Sequence, residues 1–173
     1  MTVYGWPASV PPPTQVPVVI RASASENRTA ARQAARTILT EIFQSWQEPA
    51  PWIETATGPS HPIYTLSLSY TSRSTWIAIQ RQGKVGIDAM ELQNFPELKT
   101  VTQNFFSPSD CQKILQSNQP LENFTQAWTA LESLTKAHRL PLQEFPQNLP
   151  ALAHHKTWQT HDDIVVSLTW SHD

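Results

Sequence analysis

The stretch that decides the fold is "KVGIDAMEL", residues 84–92. A short apolar run crosses Gly86 and stops at Asp88, as a buried strand does when it delivers one carboxylate to an edge. Two residues on, where strand alternation would aim a second side chain the same way, stands Met90, and Glu91 faces the opposite side. The question is whether Asp88 belongs to a metal site, and what the methionine then means.

Outward from this strand the chain reads as a mixture of short strands and helices. Upstream, "IYTLSLSY" (63–70) alternates with period two and "TWIAIQ" (75–80) follows across the turn-like "TSRS". Further upstream, residues 7–17 are proline-rich and extended, "VPVVIRA" (16–22) is a strand, and Ser23 with Glu26 suggests a capping box opening a helix. That helix carries the apolar stripe Ala31, Ala35, Ile38, Leu39, Ile42, Phe43 and Trp46. Arg28, Arg32 and Arg36 recur every fourth residue on one of its faces. Downstream, "FPELKTVTQNFF" and "SPSDCQKILQS" read as short helices. "PLENFTQAWTALESLTKAHRL" (120–140) is the strongest helix, with Leu121, Phe124, Trp128, Leu131 and Leu134, or a neighbour of these, as its expected core stripe. "PLQEFPQNLPALAHH" (141–155) is a proline-broken loop, and "DDIVVSLTW" closes the chain as a strand.

Bulk composition narrows the class. The 173 residues are 39% hydrophobic, enough for one compact core or two small lobes sharing one. Only 15% are charged and the formal net charge is −2, which argues against a general nucleic-acid binder. The single cysteine excludes an internal disulfide and a cysteine zinc cluster, and suits a reducing compartment. No apolar run approaches a membrane span, and the N-terminus lacks the pattern of a signal peptide, so a cytoplasmic protein is expected. Residues 1–83 hold six arginines, no lysine and four acids; residues 84–173 hold five lysines, one arginine and ten acids. A cationic half facing an acidic one suits an anionic ligand near a metal, and ordinary scatter explains it equally.

Several constellations invite two readings each. Glu132 and Lys136 are spaced i, i+4 and read plainly as a surface ion pair worth ~0.3–0.5 kcal/mol. The functional reading pairs Glu132 with Asp88 around a hard divalent cation, with Lys136 reaching a phosphate. The three arginines are either a solvated face or a phosphate-recognition row. His154, His155 and His161 near Asp162 and Asp163 lack compact zinc-ligand spacing. With four glycines in the chain, no glycine-rich phosphate loop is present.

Taken in order, "LSLSYTSRSTWIAI" (66–79), "GKVGIDAMEL" (83–92) and "AWTALESLTKA" (127–137) resemble the 4′-phosphopantetheinyl transferase superfamily, particularly its Sfp-type members. Their pattern runs roughly Ser-x-Ser-His-Ser, then Gly-hydrophobic-Asp-x-Glu, then Trp-Thr-x-Lys-Glu-Ala-x-x-Lys. The resemblance spans residues 63–137, and the closing strand 163–170 fits it. It implies an α+β fold of two pseudo-symmetric α/β halves, small antiparallel sheets packed on helices, with CoA in the cleft between them. The divisions expected are an extended segment 1–15, a first half 16–83 and a second half 84–173. The implied reaction moves phosphopantetheine from CoA to a serine of an acyl or peptidyl carrier protein, with Mg²⁺ required. Residue by residue, the resemblance makes Asp88 a metal ligand and Glu132 a second ligand and base. Lys136 and Ser69 would contact the CoA phosphates, and Arg28 or Arg32 the 3′-phosphate. No nucleic-acid partner and no membrane insertion are expected, and a monomer is favoured.

Three departures weaken the match. Tyr70 replaces the family histidine, taking over or losing a cofactor contact; Leu131 replaces a lysine; and Met90 replaces the middle carboxylate. A thioether is too soft for Mg²⁺, so water or Glu91 would have to stand in. The alternative is a non-catalytic homologue that binds a carrier protein or CoA as partner or regulator.

Overall fold

A computed structural model of the chain describes residues 1–55, 58–145 and 149–172. The expectations for the loop 141–155, the segment around 56–57 and the last residue of the second half therefore lie partly outside the described residues. In chain order, β1 (Val3–Gly5) and β2 (Val18–Ser23) precede α1 (Arg28–Ser45), followed by β3 (Ile53–Thr55) and β4 (Gly58–Ser60). Next come β5 (Tyr64–Tyr70), β6 (Ser74–Arg81) and β7 (Lys84–Glu91). Then α2 (Leu98–Phe105), α3 (Pro108–Leu115) and α4 (Pro120–Ala137) precede β8 (His154–Gln159) and β9 (Ile164–Ser171).

The fold is mixed α+β. One sheet has the order β1-β2-β6-β5 and another β7-β9-β8, with β3 and β4 a small separate pair. In both larger sheets a strand leads into helical structure and then pairs, antiparallel, with the last strand of a following hairpin. The expectation of purely antiparallel sheets needs correction, because β1 pairs with β2 in parallel. The residues just ahead of the proline-rich stretch are therefore bound into the first sheet, and Val10 within that stretch is buried in the core.

Strand alternation divides the apolar side chains into two layers. Ile20, Leu66, Ile77 and Ile79 pack on Ala35, Leu39 and Ile42 of α1. The other face of the first sheet, with Val19, Trp76 and Ala78, packs on Val85, Ile87, Val166 and Leu168 of the second. The capping-box expectation is also corrected. β2 continues to Ser23, and the N-cap is Asn27, whose side chain accepts from the Ala30 N–H at 3.0 Å.

The core stripe expected on α4 proves to be a different one. Of its five members only Phe124 is fully buried, stacking on Phe95 and Trp128. The face against the sheet is instead Thr125, Thr129, Ser133 and Ala137, spaced i, i+4 and all buried. Small side chains let the helix come close, and two cross-contacts, Thr129 to Ser167 and Ser133 to Thr169, are 2.8 Å hydroxyl pairs. Gly86 sets the approach, since a Cβ there would lie 1.8 Å from the Ser133 carbonyl oxygen and 2.6 Å from the Ala137 nitrogen. A glycine in this strand is thus what brings the last turns of α4 over Asp88. β8, read from sequence as loop, is an exposed edge strand. Among the described residues no helix is long and apolar enough to cross a membrane.

Candidate functional site

The sequence places a two-residue periodicity on β7, and the structure converts it into a division of labour. Val85, Ile87 and Ala89 face the inter-sheet core, while Asp88 points to the side where Gly86 admits α4. β7 pairs on one side only, with β9, so its other edge needs partners. Ser67 and Ser69 of β5 supply them, their hydroxyls accepting from the N–H groups of Ile87 (3.0 Å) and Ala89 (3.1 Å). Ser69 then donates its own proton to Asp88 Oδ1 at 3.0 Å. A hydroxyl with its one proton committed this way orients Asp88, and in this arrangement it offers no donor to a phosphate.

Asp88 is 4% exposed and its charge is met by Lys136, whose Nζ lies 2.6 Å from Oδ1. The same ammonium donates to the carbonyls of Ile87 (3.2 Å) and Leu68 (3.4 Å). Glu132, one turn earlier on α4, brings Oε2 to 3.9 Å from that nitrogen. Asp88 therefore converges with Glu132 and Lys136, forty-odd residues further along the chain, as the sequence suggested. Burial pushes the Glu132 carboxyl up to about 7, and the Asp88 charge adds to the rise. Lys136 opposes that rise, as does a hydrogen bond from Trp128, a residue whose role the sequence reading reduced to packing.

Glu91 is not available to this site. β7 stays in continuous register with β9, without a bulge, and the Glu91 carboxylate accepts from the Ser72 hydroxyl (2.6 Å) and the Arg73 N–H (3.1 Å). It caps the β5–β6 hairpin. Met90 lines the same cavity as Asp88 and Glu132.

Two adjoining cavities share Leu68, Tyr70 and Lys136 as their common wall. The acidic one, about 660 Å³, holds Asp88, Glu132, Ser69 and Arg28. Its neighbour, about 470 Å³, is lined by Arg32, Arg36, Trp52, Leu66 and Arg139, among others. Arg36 is neutralised by Glu54 at 3.0 Å; among the described residues Arg28 and Arg32 have no such partner. The arginine row faces Tyr70: burial and Glu54 raise the phenol, and Arg32, Arg36 and Arg28 pull it back. Arg139 was not anticipated; it sits just past the end of α4 in a left-handed conformation (φ 55°), and a basic residue beyond a helix C-terminus was the available signal. The histidines do not assemble. His154 stacks on Trp170, His155 bonds Thr169 and Thr157, and Asp162 pairs with Arg21. Among the described residues no three metal-ligating side chains cluster.

The acidic pair nevertheless suits a divalent ion. Two hard carboxylates face one cavity, and burial, then the Asp88 charge, holds the Glu132 carboxyl raised. Mg²⁺ is commonly held by one or two carboxylates plus waters and substrate phosphates, which allows for Met90.

A search of curated proteins returned no match. A family model described as the 4′-phosphopantetheinyl transferase superfamily (ACPS) matches residues 84–170. That half of the chain runs from β7 to β9 and carries Asp88, Met90, Glu132 and Lys136, while Ser69, Tyr70 and the arginine row lie outside it. With the match covering half of its length, the chain belongs to the 4′-phosphopantetheinyl transferase superfamily.

Proposed function

We propose that this protein transfers 4′-phosphopantetheine from CoA to a serine hydroxyl of an acyl or peptidyl carrier protein, with Mg²⁺ held by Asp88 and Glu132. The observation that carries the reading is the convergence of those two carboxylates with Lys136 at the wall between two cavities. Membership of the superfamily supports a transfer of this type, and the geometry suggests how this chain would divide it. The arginine-lined cavity suits the 3′-phosphate end of CoA, with Arg32 as a cation and Trp52 and Leu66 as apolar walls, and Arg28 stands in the adjoining acidic cavity. The acidic cavity suits the diphosphate and the carrier serine.

When bound, Mg²⁺ would offset the charge of the diphosphate and of the departing 3′,5′-ADP. The serine oxygen forms a bond to the phosphorus that carries pantetheine, and the bond from that phosphorus to the ADP oxygen breaks. Glu132 faces the acidic cavity and is the carboxylate placed to accept the serine proton. Ser69 holds the Asp88 carboxylate in one orientation, and Lys136 supplies a cation to the phosphates. The pairing of two similar strand–helix–hairpin units is consistent with pseudo-symmetric halves, 16–83 and 84–173, enclosing the cleft.

A second reading, a non-catalytic relative that binds CoA or a carrier protein, is favoured by Met90 at the middle-ligand position and by Tyr70 and Leu131 in place of cations. One experiment separates them. The protein is incubated with CoA, Mg²⁺ and a panel of apo carrier proteins, and intact carrier mass is recorded. A gain of one phosphopantetheine group, absent with EDTA, supports transfer. Carrier binding without any mass gain across the panel supports the second reading.

A further inference from the structure

Lys136 is more firmly held than a phosphate-binding lysine needs to be. An ammonium has three protons to donate, and here three acceptors lie within hydrogen-bonding range: Asp88 Oδ1 at 2.6 Å, Ile87 O at 3.2 Å and Leu68 O at 3.4 Å. The carboxylate of Glu132 stands behind it at 3.9 Å. The one oxygen that carries the Lys136 contact, Asp88 Oδ1, also takes the Ser69 proton, so Asp88 offers that oxygen to nothing else while Lys136 stays. Gly86 lets the backbone of α4 approach β7 closely, which puts Lys136 within reach of Asp88.

We propose that Lys136 is a placeholder cation on Asp88, and that a divalent metal binds tightly only together with a phosphate-bearing ligand that draws the ammonium off this carboxylate. The inference rests on the metal site proposed above and adds to it a rule of order. A dication arriving alone meets a positive charge 2.6 Å from its ligand oxygen, and like charges that close repel in a partly buried site. The side chain has somewhere to go. Lys136 is one third exposed, lines both cavities, and rides on a flexible four-carbon stem. A diphosphate in the cleft gives the ammonium new acceptors and frees Asp88 at the same time. Metal and diphosphate then raise each other's affinity, as reciprocal coupling requires. A permanent structural ion pair between α4 and β7 predicts no such coupling through Lys136.

The test is a Mn²⁺ titration followed by the electron paramagnetic resonance signal of the free ion, with and without CoA, on wild type, Lys136→Gln and Asp88→Asn. Without CoA, Lys136→Gln binds Mn²⁺ at least tenfold tighter than wild type, and CoA improves its affinity by a smaller factor than in wild type. Equal or weaker Mn²⁺ binding by Lys136→Gln overturns the placeholder. If Asp88→Asn weakens Mn²⁺ binding while Lys136→Gln changes nothing, the placeholder alone fails. If Asp88→Asn also leaves Mn²⁺ binding with CoA unchanged, the proposed metal site fails with it. A measurement on the wild type guards against a misfolded variant. The Lys136 ammonium resonance, assigned through its side-chain carbons by ¹⁵N nuclear magnetic resonance, moves with Mg²⁺ plus CoA and stays in place with Mg²⁺ alone. A full shift with Mg²⁺ alone overturns the proposal.

Discussion

Glu132→Gln should turn a stability that declines with pH into one that does so less. The Glu132 carboxyl is raised from 4.5 to about 7, chiefly by burial and next by the Asp88 charge. Between those two values the folded chain holds a proton that the unfolded chain has released. Stability contributed by this group is therefore full below about 4.5 and falls as pH rises toward 7. At about 1.36 kcal/mol per pH unit the interval corresponds to about 3 kcal/mol, and the 28% exposure of the side chain reduces this to about 2 kcal/mol. Glutamine keeps the shape and cannot ionise. Urea unfolding in EDTA at half-unit steps from pH 4.5 to 8 measures the difference between the two proteins, which removes the titrating groups that do not interact with Glu132. With a urea slope of roughly 2 kcal/mol per molar, the gap between their midpoints should grow by about 1 M in favour of the variant. Curves that stay parallel across this range would refute a buried carboxylate pair short of positive charge.

Other outcomes follow from the same geometry. Gly86→Ala drives a methyl into the backbone of α4 at Ser133 and Ala137, so it should cost about 3 kcal/mol or prevent folding. An unchanged thermal midpoint would contradict the close helix–strand approach. Met90→Glu adds an oxygen ligand beside Asp88 and should tighten Mg²⁺ binding at least tenfold in calorimetry with CoA present; no change would place residue 90 away from the metal. Asp162 accepts from Arg21, and the Arg73 side chain donates to its backbone carbonyl at 2.7 Å, joining the first sheet to the β8–β9 turn. Asp162→Asn should lower stability by about 1 kcal/mol, with a smaller loss at high salt. A hydrogen bond from Thr160, then burial working against it and the Arg21 pair working with it, leaves the Asp162 carboxyl below its ordinary value, so this contribution is present above about pH 4 and lost in acid.

The chain shows how far residue patterns carry such a reading. β5, β6, β7 and β9 were legible because their apolar runs are continuous or alternate cleanly, and α4 because its period is sustained. Asp88, Glu132 and Lys136 could be paired from sequence as one of two readings of their residue types, and the family resemblance then favoured it, since the spacing of strand and helix alone does not bring them together. The buried face of α4 was misread because hydropathy favours Leu131 and Leu134. Packing a helix tightly on a strand that contains Gly86 instead requires Thr129, Ser133 and Ala137. β8 escaped notice because an exposed edge strand carries no apolar alternation, with only Trp158 to mark it. The hydrogen-bond partners of Ser69 and Glu91 were not legible for a related reason. Their partners, Asp88 and Ala89 for one and the β5–β6 hairpin for the other, are set by how the two sheets meet.

The central claim is that Asp88 and Glu132 together hold a divalent ion against the diphosphate of CoA. It is tested most directly by electron–nuclear double resonance of Mn²⁺ bound with CoA, which reports phosphorus nuclei coordinated to the metal. The account predicts phosphorus coupling in the wild type and its loss, with bound Mn²⁺, in both Asp88→Asn and Glu132→Gln. Mn²⁺ that binds with CoA equally well in the two variants, or shows no phosphorus coupling in the wild type, would contradict it.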